Sequence, residues 1–228
     1  MQIGIFIKRV LIGISVLCLL LWAYYQVWFL RQPTRQIPND PALFVSPANG
    51  VVSAVTKWYQ DSLELQKGWG RVQLLTRAVA DSGWIISIHM DVTNVHFQRM
   101  PTDAQLISEH YQPGKFLNAL RHTNRFGFRP ENEHNTLLFI TPDSIRFSVV
   151  QIAGLLARRI ENYLEPGQHA AQGQVIGLIK LGSQVSLIVP MTVQPLVHPG
   201  AYVIDGETII ARKTDHLSND DIHLTPGR

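Results

Sequence analysis

The chain has 228 residues, 46% of them hydrophobic and 16% charged, with a net charge of +3. That length holds one domain with its own core plus an attached segment, and so small a basic excess suits anionic lipid headgroups but gives no ground for a nucleic-acid surface. The single cysteine, Cys18, excludes an intrachain disulfide.

The apolar excess gathers at the N-terminus. No charge stands between Arg9 and Arg31, and a helix of that length spans about 30 Å, one bilayer core. Trp22, Tyr24, Tyr25 and Trp28 cluster at its C-terminal end, where amphipathic rings favour the water–lipid interface. The run is longer than a signal-peptide core and has no small-x-small cleavage site, so a retained membrane anchor is expected over residues 1–30. Lys8 and Arg9 before it balance Arg31 and Arg35 after it, and loop charge gives no orientation. Pro33, Pro38 and Pro41 make residues 31–45 an extended linker.

From Phe44 onward, short apolar runs alternate with turn residues. Residues 51–55, 72–75, 84–90, 136–140, 145–150, 175–180 and 185–189 read as strands. The pattern predicts a mainly β (α+β) domain over residues 46–212: an antiparallel sandwich or barrel with short helices. Residues 150–160 join a Val-Val start to Ala, Leu and Arg that permit a short helix, and the period leaves both readings open. Turns at Pro166-Gly167, Gly173, Pro199-Gly200 and Asp205-Gly206 give the C-terminal part the rhythm of a biotinyl or lipoyl carrier. Such a carrier needs its lysine at a hairpin tip, and Lys180 lies inside a strand run. Residues 213–228 are polar and aperiodic and read as a tail.

Metal-ligand spacings such as His-x-x-x-His and Cys-x-x-Cys are absent, so no metal is expected; Gly-x-Ser-x-Gly and glycine-rich phosphate loops are absent too. Singly, His89, His96, His110, His122, His134 and His169 read as packed or surface side chains. Lys115, after the Pro113-Gly114 turn, reads as a solvated lysine or as a phosphate contact for a lipid headgroup. Gly182-Ser183 alone is a turn. It is pinned, however, between two apolar runs, and a peptide held that way can carry strain that serves chemistry.

Six stretches, in order, resemble the short form of the phosphatidylserine decarboxylase family. Residues 31–38 are similar to its basic, Pro-containing lead-in. Ser46-Pro47-Ala48-Asn49-Gly50 is similar to its Ser-Pro-Ala-Asp-Gly. Asn94-Val95-His96 with Arg99-Met100-Pro101 resembles its histidine motif. Tyr111-Gln112-Pro113-Gly114-Lys115-Phe116-Leu117-Asn118-Ala119 matches closely, and Asn132-Glu133-His134-Asn135 is similar to a family Asn-Glu-Arg-Asn. Residues 151–160, then Gly177-Leu178-Ile179-Lys180-Leu181-Gly182-Ser183, resemble the run into a cleavage site.

The resemblance implies a carboxy-lyase that decarboxylates phosphatidylserine to phosphatidylethanolamine in phospholipid biosynthesis. It implies a zymogen: Ser183 Oγ attacks the Gly182 carbonyl, the ester eliminates, and the dehydroalanine hydrolyses to a pyruvoyl cofactor. The products are a β chain of residues 1–182 and an α chain of residues 183–228, a heterodimer with room for a homo-oligomer. The pyruvoyl ketone takes the substrate amine as a Schiff base and serves as the electron sink. His96 is the implied general acid/base; Lys115, His134 and Arg99 are the implied substrate contacts. The expected place is the cell membrane among anionic lipids, with the catalytic domain on the cytoplasmic side. Two positions depart from the family pattern, Asn49 for its aspartate and His134 for its arginine. An amide at 49 orients an imidazole but does not stabilise imidazolium by charge, a change worth about four orders of magnitude in the serine-protease template. It raises a second expectation, a non-cleaving lipid-binding pseudoenzyme. Asn49-Gly50 is also a deamidation-prone pair, so conversion to aspartate is a route by which the acid returns.

Overall fold

The computed structural model describes residues 2–59, 76–115, 131–154, 159–180 and 183–214. The strand expected at 72–75, His122, Gly182 and residues 116–119 of the close-matching stretch lie outside them. The chain divides into two compact units between Pro33 and Thr34.

The first unit is one helix, α1 (Gln2–Tyr24), continued by a π-helical turn over Tyr25–Phe29. Its Gly4–Phe29 stretch contains an 18-residue window of mean hydropathy 2.3 and is long and apolar enough to cross a membrane. Leu19, Leu20, Leu21 and Trp22 are exposed along it, as a lipid-facing helix requires. At its end the Arg31 guanidinium lies 4.4 Å from the centre of the Trp28 ring and donates to the Trp28 carbonyl at 2.7 Å, closing the last turn.

The second unit is antiparallel β throughout its described strands. In chain order these are β1 (Leu43–Val45), β2 (Gly50–Tyr59), β3 (Ser82–Met90), β4 (Phe97–Arg99), β5 (Ala104–Gln112), β6 (His134–Ile140) and β7 (Arg146–Ala153). Then follow β8 (Ile160–Asn162), β9 (His169–Ala170), β10 (Val175–Ile179), β11 (Ser183–Pro190), β12 (Val193–Pro195), β13 (Tyr202–Val203) and β14 (Ile209–Lys213). An eight-stranded sheet runs β13-β2-β3-β11-β7-β6-β5-β9; two three-stranded sheets run β1-β14-β12 and β4-β10-β8.

The central strands are buried on both faces, which explains their continuous apolar runs. Ile86, Ile88, Val149, Val185, Leu187 and Val189 join Phe44, Phe139, Phe147, Ile176 and Ile210 in the main core. Their alternate neighbours Ile85, Val150, Ile152 and Ile188 pack with Trp58 in a second cluster, on the opposite face by strand alternation. Phe147 stacks on Phe139 and meets Phe44 edge-on, with ring centres 5.3 Å apart in both pairs.

Two boundaries move. Residues 34–45 are part of the body, not a free linker: Arg35 pairs with the buried Asp205, the Gln36 amide donates to Glu207, and β1 pairs with β14. The tail does not start at 213, because Lys213 closes β14, is buried, and binds the Asp143 carboxylate at 2.8 Å. The ambiguous 150–160 segment is strand through Ala153 and again from Ile160.

Candidate active site

Ser183 opens β11 in the middle of the large sheet, opposite Met90 of β3 and Ala153 of β7. It is wholly buried, and its Oγ has no hydrogen-bond partner among the described residues. A buried hydroxyl left unpaired costs about 1–3 kcal/mol, so its presence asks for a reason. β10 ends at Ile179 and β11 begins at Ser183, so Ser183 is the first residue of a strand and not part of a link between two; the two strands belong to different sheets.

The backbone of His96 meets the end of β10. The residue is wholly buried just before β4, and its carbonyl accepts the Ile179 amide at 3.3 Å, four residues ahead of Ser183. Its Nδ1 faces the Asn94 carbonyl oxygen at 3.0 Å. A carbonyl only accepts, so Nδ1 carries the hydrogen, and whenever the ring is neutral its lone pair is on the buried Nε2.

The turn that presents His96 is built by Asp91. Its carboxylate accepts the Thr93 hydroxyl at 2.5 Å and the Thr93 amide at 2.8 Å, while Asn94 Oδ1 accepts the Asp91 amide at 2.8 Å. Burial works against the Asp91 carboxylate, but these bonds and the nearby His89 outweigh it and hold its pKa below the ordinary value.

Asn49 is 5% exposed, and its side chain makes three hydrogen bonds. Nδ2 donates to the Val203 carbonyl at 3.1 Å; Oδ1 accepts the Val95 amide at 3.1 Å and the Tyr202 hydroxyl at 3.3 Å. All three go to Val95, Val203 and Tyr202, and none to the imidazole. Gly50 leaves the backbone little room beside it, since a Cβ there would stand 2.0 Å from the His89 carbonyl oxygen. Deamidation needs the Gly50 nitrogen to swing onto the Asn49 side chain, and this clamped strand start opposes that movement.

The residues expected at the substrate divide. Lys115 lies on the same cross-sheet row as Ser183: Ala153 donates its amide to the Glu133 carbonyl at 2.9 Å, and Glu133 donates its own to the Lys115 carbonyl at 3.0 Å. Three strand spacings put Lys115 roughly 14 Å along that row, and its side chain is exposed. His134 starts β6 beside this row; it is buried, with Nδ1 2.8 Å from the Asn132 carbonyl oxygen. Arg99 is engaged elsewhere: Nε donates to Asp205 at 2.8 Å and Nη1 to the Gly173 carbonyl at 2.8 Å. Asp205 is wholly buried and also binds Arg35 at 2.5 Å, so it is shared between two arginines.

A family model described as phosphatidylserine decarboxylase matches residues 22–211. The chain belongs to the phosphatidylserine decarboxylase family. Its members are carboxy-lyases. A phosphatidylserine decarboxylase proenzyme of Beijerinckia indica is 39% identical over 196 residues, covering 86% of this chain and 76% of that protein. Proteins of the same name from Erythrobacter litoralis and Ruegeria pomeroyi are 39% and 37% identical, covering 81% and 85% of this chain and 71% and 80% of theirs.

In this member of the phosphatidylserine decarboxylase family, one polar assembly escaped the sequence reading. Gln98 donates to the His96 carbonyl at 2.6 Å, Gln151 donates to Gln98 at 2.9 Å, and Asn135 donates to Gln151 at 3.3 Å and to Glu109 at 2.7 Å. Gln98, Gln151 and Asn135 are all buried. The signal was available only for Gln151, an amide inside an apolar strand run between Val150 and Ile152 of the core; Gln98 and Asn135 stand in polar surroundings in the sequence.

Proposed function

We propose that this chain is a zymogen that cuts itself between Gly182 and Ser183 and then decarboxylates phosphatidylserine to phosphatidylethanolamine through a pyruvoyl group made from Ser183. The observation that carries the reading is the buried, unpartnered Ser183 Oγ at the head of a central strand. The proenzyme naming of the relatives supports it.

In the self-cleavage, His96 Nε2 takes the proton of Ser183 Oγ, and Oγ attacks the Gly182 carbonyl carbon. The C–N bond to Ser183 breaks and an ester forms, with the proton passing to the freed amine. Loss of the Ser183 α-proton expels the Gly182 carboxylate and leaves dehydroalanine, which water converts to the keto acid amide with release of ammonia. The Ser183 position fits such a group: the residue is buried, and no hydrogen bond to the hydroxyl from the described residues is lost when the oxygen leaves. A pyruvoyl group supplies a carbonyl for the substrate amine and a sink for the electrons of the departing carboxylate. His96, with Nδ1 held on the Asn94 carbonyl, is the group that returns a proton to the substrate carbon at Nε2. Lys115 takes the headgroup phosphate from the open end of the row, and His134 borders the same end. Arg99 serves the frame through Asp205. Asn49 occupies the orienting position. The apolar helix over Gly4–Phe29 supports a lipid substrate and a place at the membrane; the cytoplasmic side for the catalytic body is what the family resemblance implies.

A second reading, a lipid-binding relative that never cleaves, is favoured by one observation, the amide at position 49. Intact mass under denaturing conditions separates the two. Two chains meeting between 182 and 183, the second blocked by a borohydride-reducible carbonyl, with CO2 released from phosphatidylserine vesicles, are expected. A single chain after long incubation overturns the first reading.

A further inference from the structure

We propose that Asn49 is a positioning residue that acts on His96 through the Asn94–Val95 peptide group, and that at this position the chain works better with the amide than with a carboxylate. The amide N–H of Val95 and the carbonyl of Asn94 belong to one planar peptide unit. Asn49 Oδ1 holds its N–H at 3.1 Å, and its C=O holds His96 Nδ1 at 3.0 Å. The connection runs from Oδ1 through H–N–C=O to H–Nδ1, with both bonds buried. Hydrogen bonds in such a series polarise one another. Accepting the N–H at one end makes the carbonyl at the other a stronger acceptor. That fixes the imidazole in the Nδ1–H form, with the lone pair on Nε2, and turns the peptide dipole toward the ring when Nε2 is protonated.

The remaining partner decides between amide and acid. Val203 offers Asn49 a carbonyl oxygen at 3.1 Å, and only an N–H or O–H satisfies it. A carboxylate in the same rotamer sets two acceptors against each other at that distance. To avoid this it must rotate, which releases Val95, or push on Val203, which pairs with Gly50 in the β2–β13 ladder. Tyr202 completes the assembly from the same strand: its hydroxyl donates to Asn49 Oδ1 and accepts Asn94 Nδ2, each at 3.3 Å. One acceptor and one donor are therefore required at position 49, and asparagine supplies both.

The kinetic part of the test rests on the self-cleavage reading; the spectroscopic part does not. The full-length protein in detergent is made as wild type, Asn49→Asp and Asn49→Ala, and conversion to two chains is followed by denaturing mass spectrometry. Loss of one working hydrogen bond corresponds to a slowing of about tenfold, and at least that is expected for both variants at neutral pH. An Asn49→Asp protein that splits as fast as wild type, or faster, overturns the inference and shows that the negative charge is the missing element. In parallel, ring-nitrogen shifts of His96 are recorded in uncleavable Ser183→Ala protein with and without Asn49→Ala, a change that adds no charge and keeps the test readable if the carboxylate prevents folding. A defined Nδ1–H form that becomes a mixture when Asn49 is removed supports the relay; an unchanged form overturns it. If wild type never splits, the proposed function fails, and the ring shifts still decide this inference.

Discussion

In the proposed self-cleavage Ser183 is the nucleophile and His96 the proton carrier, and their removal should look different. Ser183→Ala is expected to give one chain and no CO2 release. His96→Ala removes a general acid/base, worth about 10²–10⁴-fold, so splitting should persist at a residual rate visible over days; a half-time within tenfold of wild type would assign the proton transfer to another group. Peptide mapping of the mature protein is expected to find asparagine at 49, because Gly50 is clamped between β13 and the His89 carbonyl. Of this site, Ser183 was legible because glycine and serine interrupt two apolar runs, and His96 became legible only through the motif around it. The bonding of Asn49 was not: a contact to Val203 lies across the fold, and a peptide group between two side chains leaves no trace in residue type. Arg99 was legible as a charged residue near the histidine, yet its partner Asp205 follows it by more than a hundred positions.

Strands announced themselves where both faces are buried. Residues 84–90 and 185–189 become β3 and β11, two adjacent interior strands of the large sheet, because Ile85 and Ile86, or Leu187 and Ile188, feed separate clusters. β5 was missed because it lies near the sheet edge: only Ala104 and Leu106 are buried, while Gln105, Ile107, Ser108, Glu109, His110 and Tyr111 are exposed. Strands of two or three residues, such as β4 and β13, are too short to show a period at all. Lys180, the residue after β10, pairs with Glu161 of the neighbouring β8 at 2.9 Å. The Lys180 hydrogen bond, against partial burial and helped by Lys180 and Arg159 charge, holds the Glu161 pKa below its ordinary 4.5. A depressed carboxylate stabilises the fold above that ordinary value and loses the contribution as pH falls through the lowered one. For a pair this exposed the contribution is about 0.2–1 kcal/mol. Urea unfolding should therefore show an acid-side loss of that size in wild type that is absent in Glu161→Gln. Asp205 should matter more: Asp205→Ala strands two arginines and is expected to lower stability by about 3–5 kcal/mol, read from the urea midpoint.

Cutting the chain at the Gly-Ser bond divides the sequence without dividing the fold. The segment after the cut supplies β11, held between β3 and β7; β13, laid on β2; and β14, held between β1 and β12. Four sheet positions, two of them interior, belong to the shorter chain, since β12 lies on it as well, and Val185, Leu187, Val189, Val193, Val203 and Ile210 are buried in the core shared with the longer one. Withdrawing it would expose that surface at about 25 cal/mol per Å² of apolar area and leave the ladders of β3 and β7 open. The two chains are thus expected to stay together through any purification that keeps the fold. Native mass spectrometry from detergent should give a complex containing both chains in equal number. Titration with urea should release the short chain at the same midpoint at which the β signal is lost, because there is no folded state of one chain without the other. Release of the short chain at a lower concentration, with the circular dichroism of the sheets intact, would mean that the strands after Ser183 are docked on a fold that stands by itself.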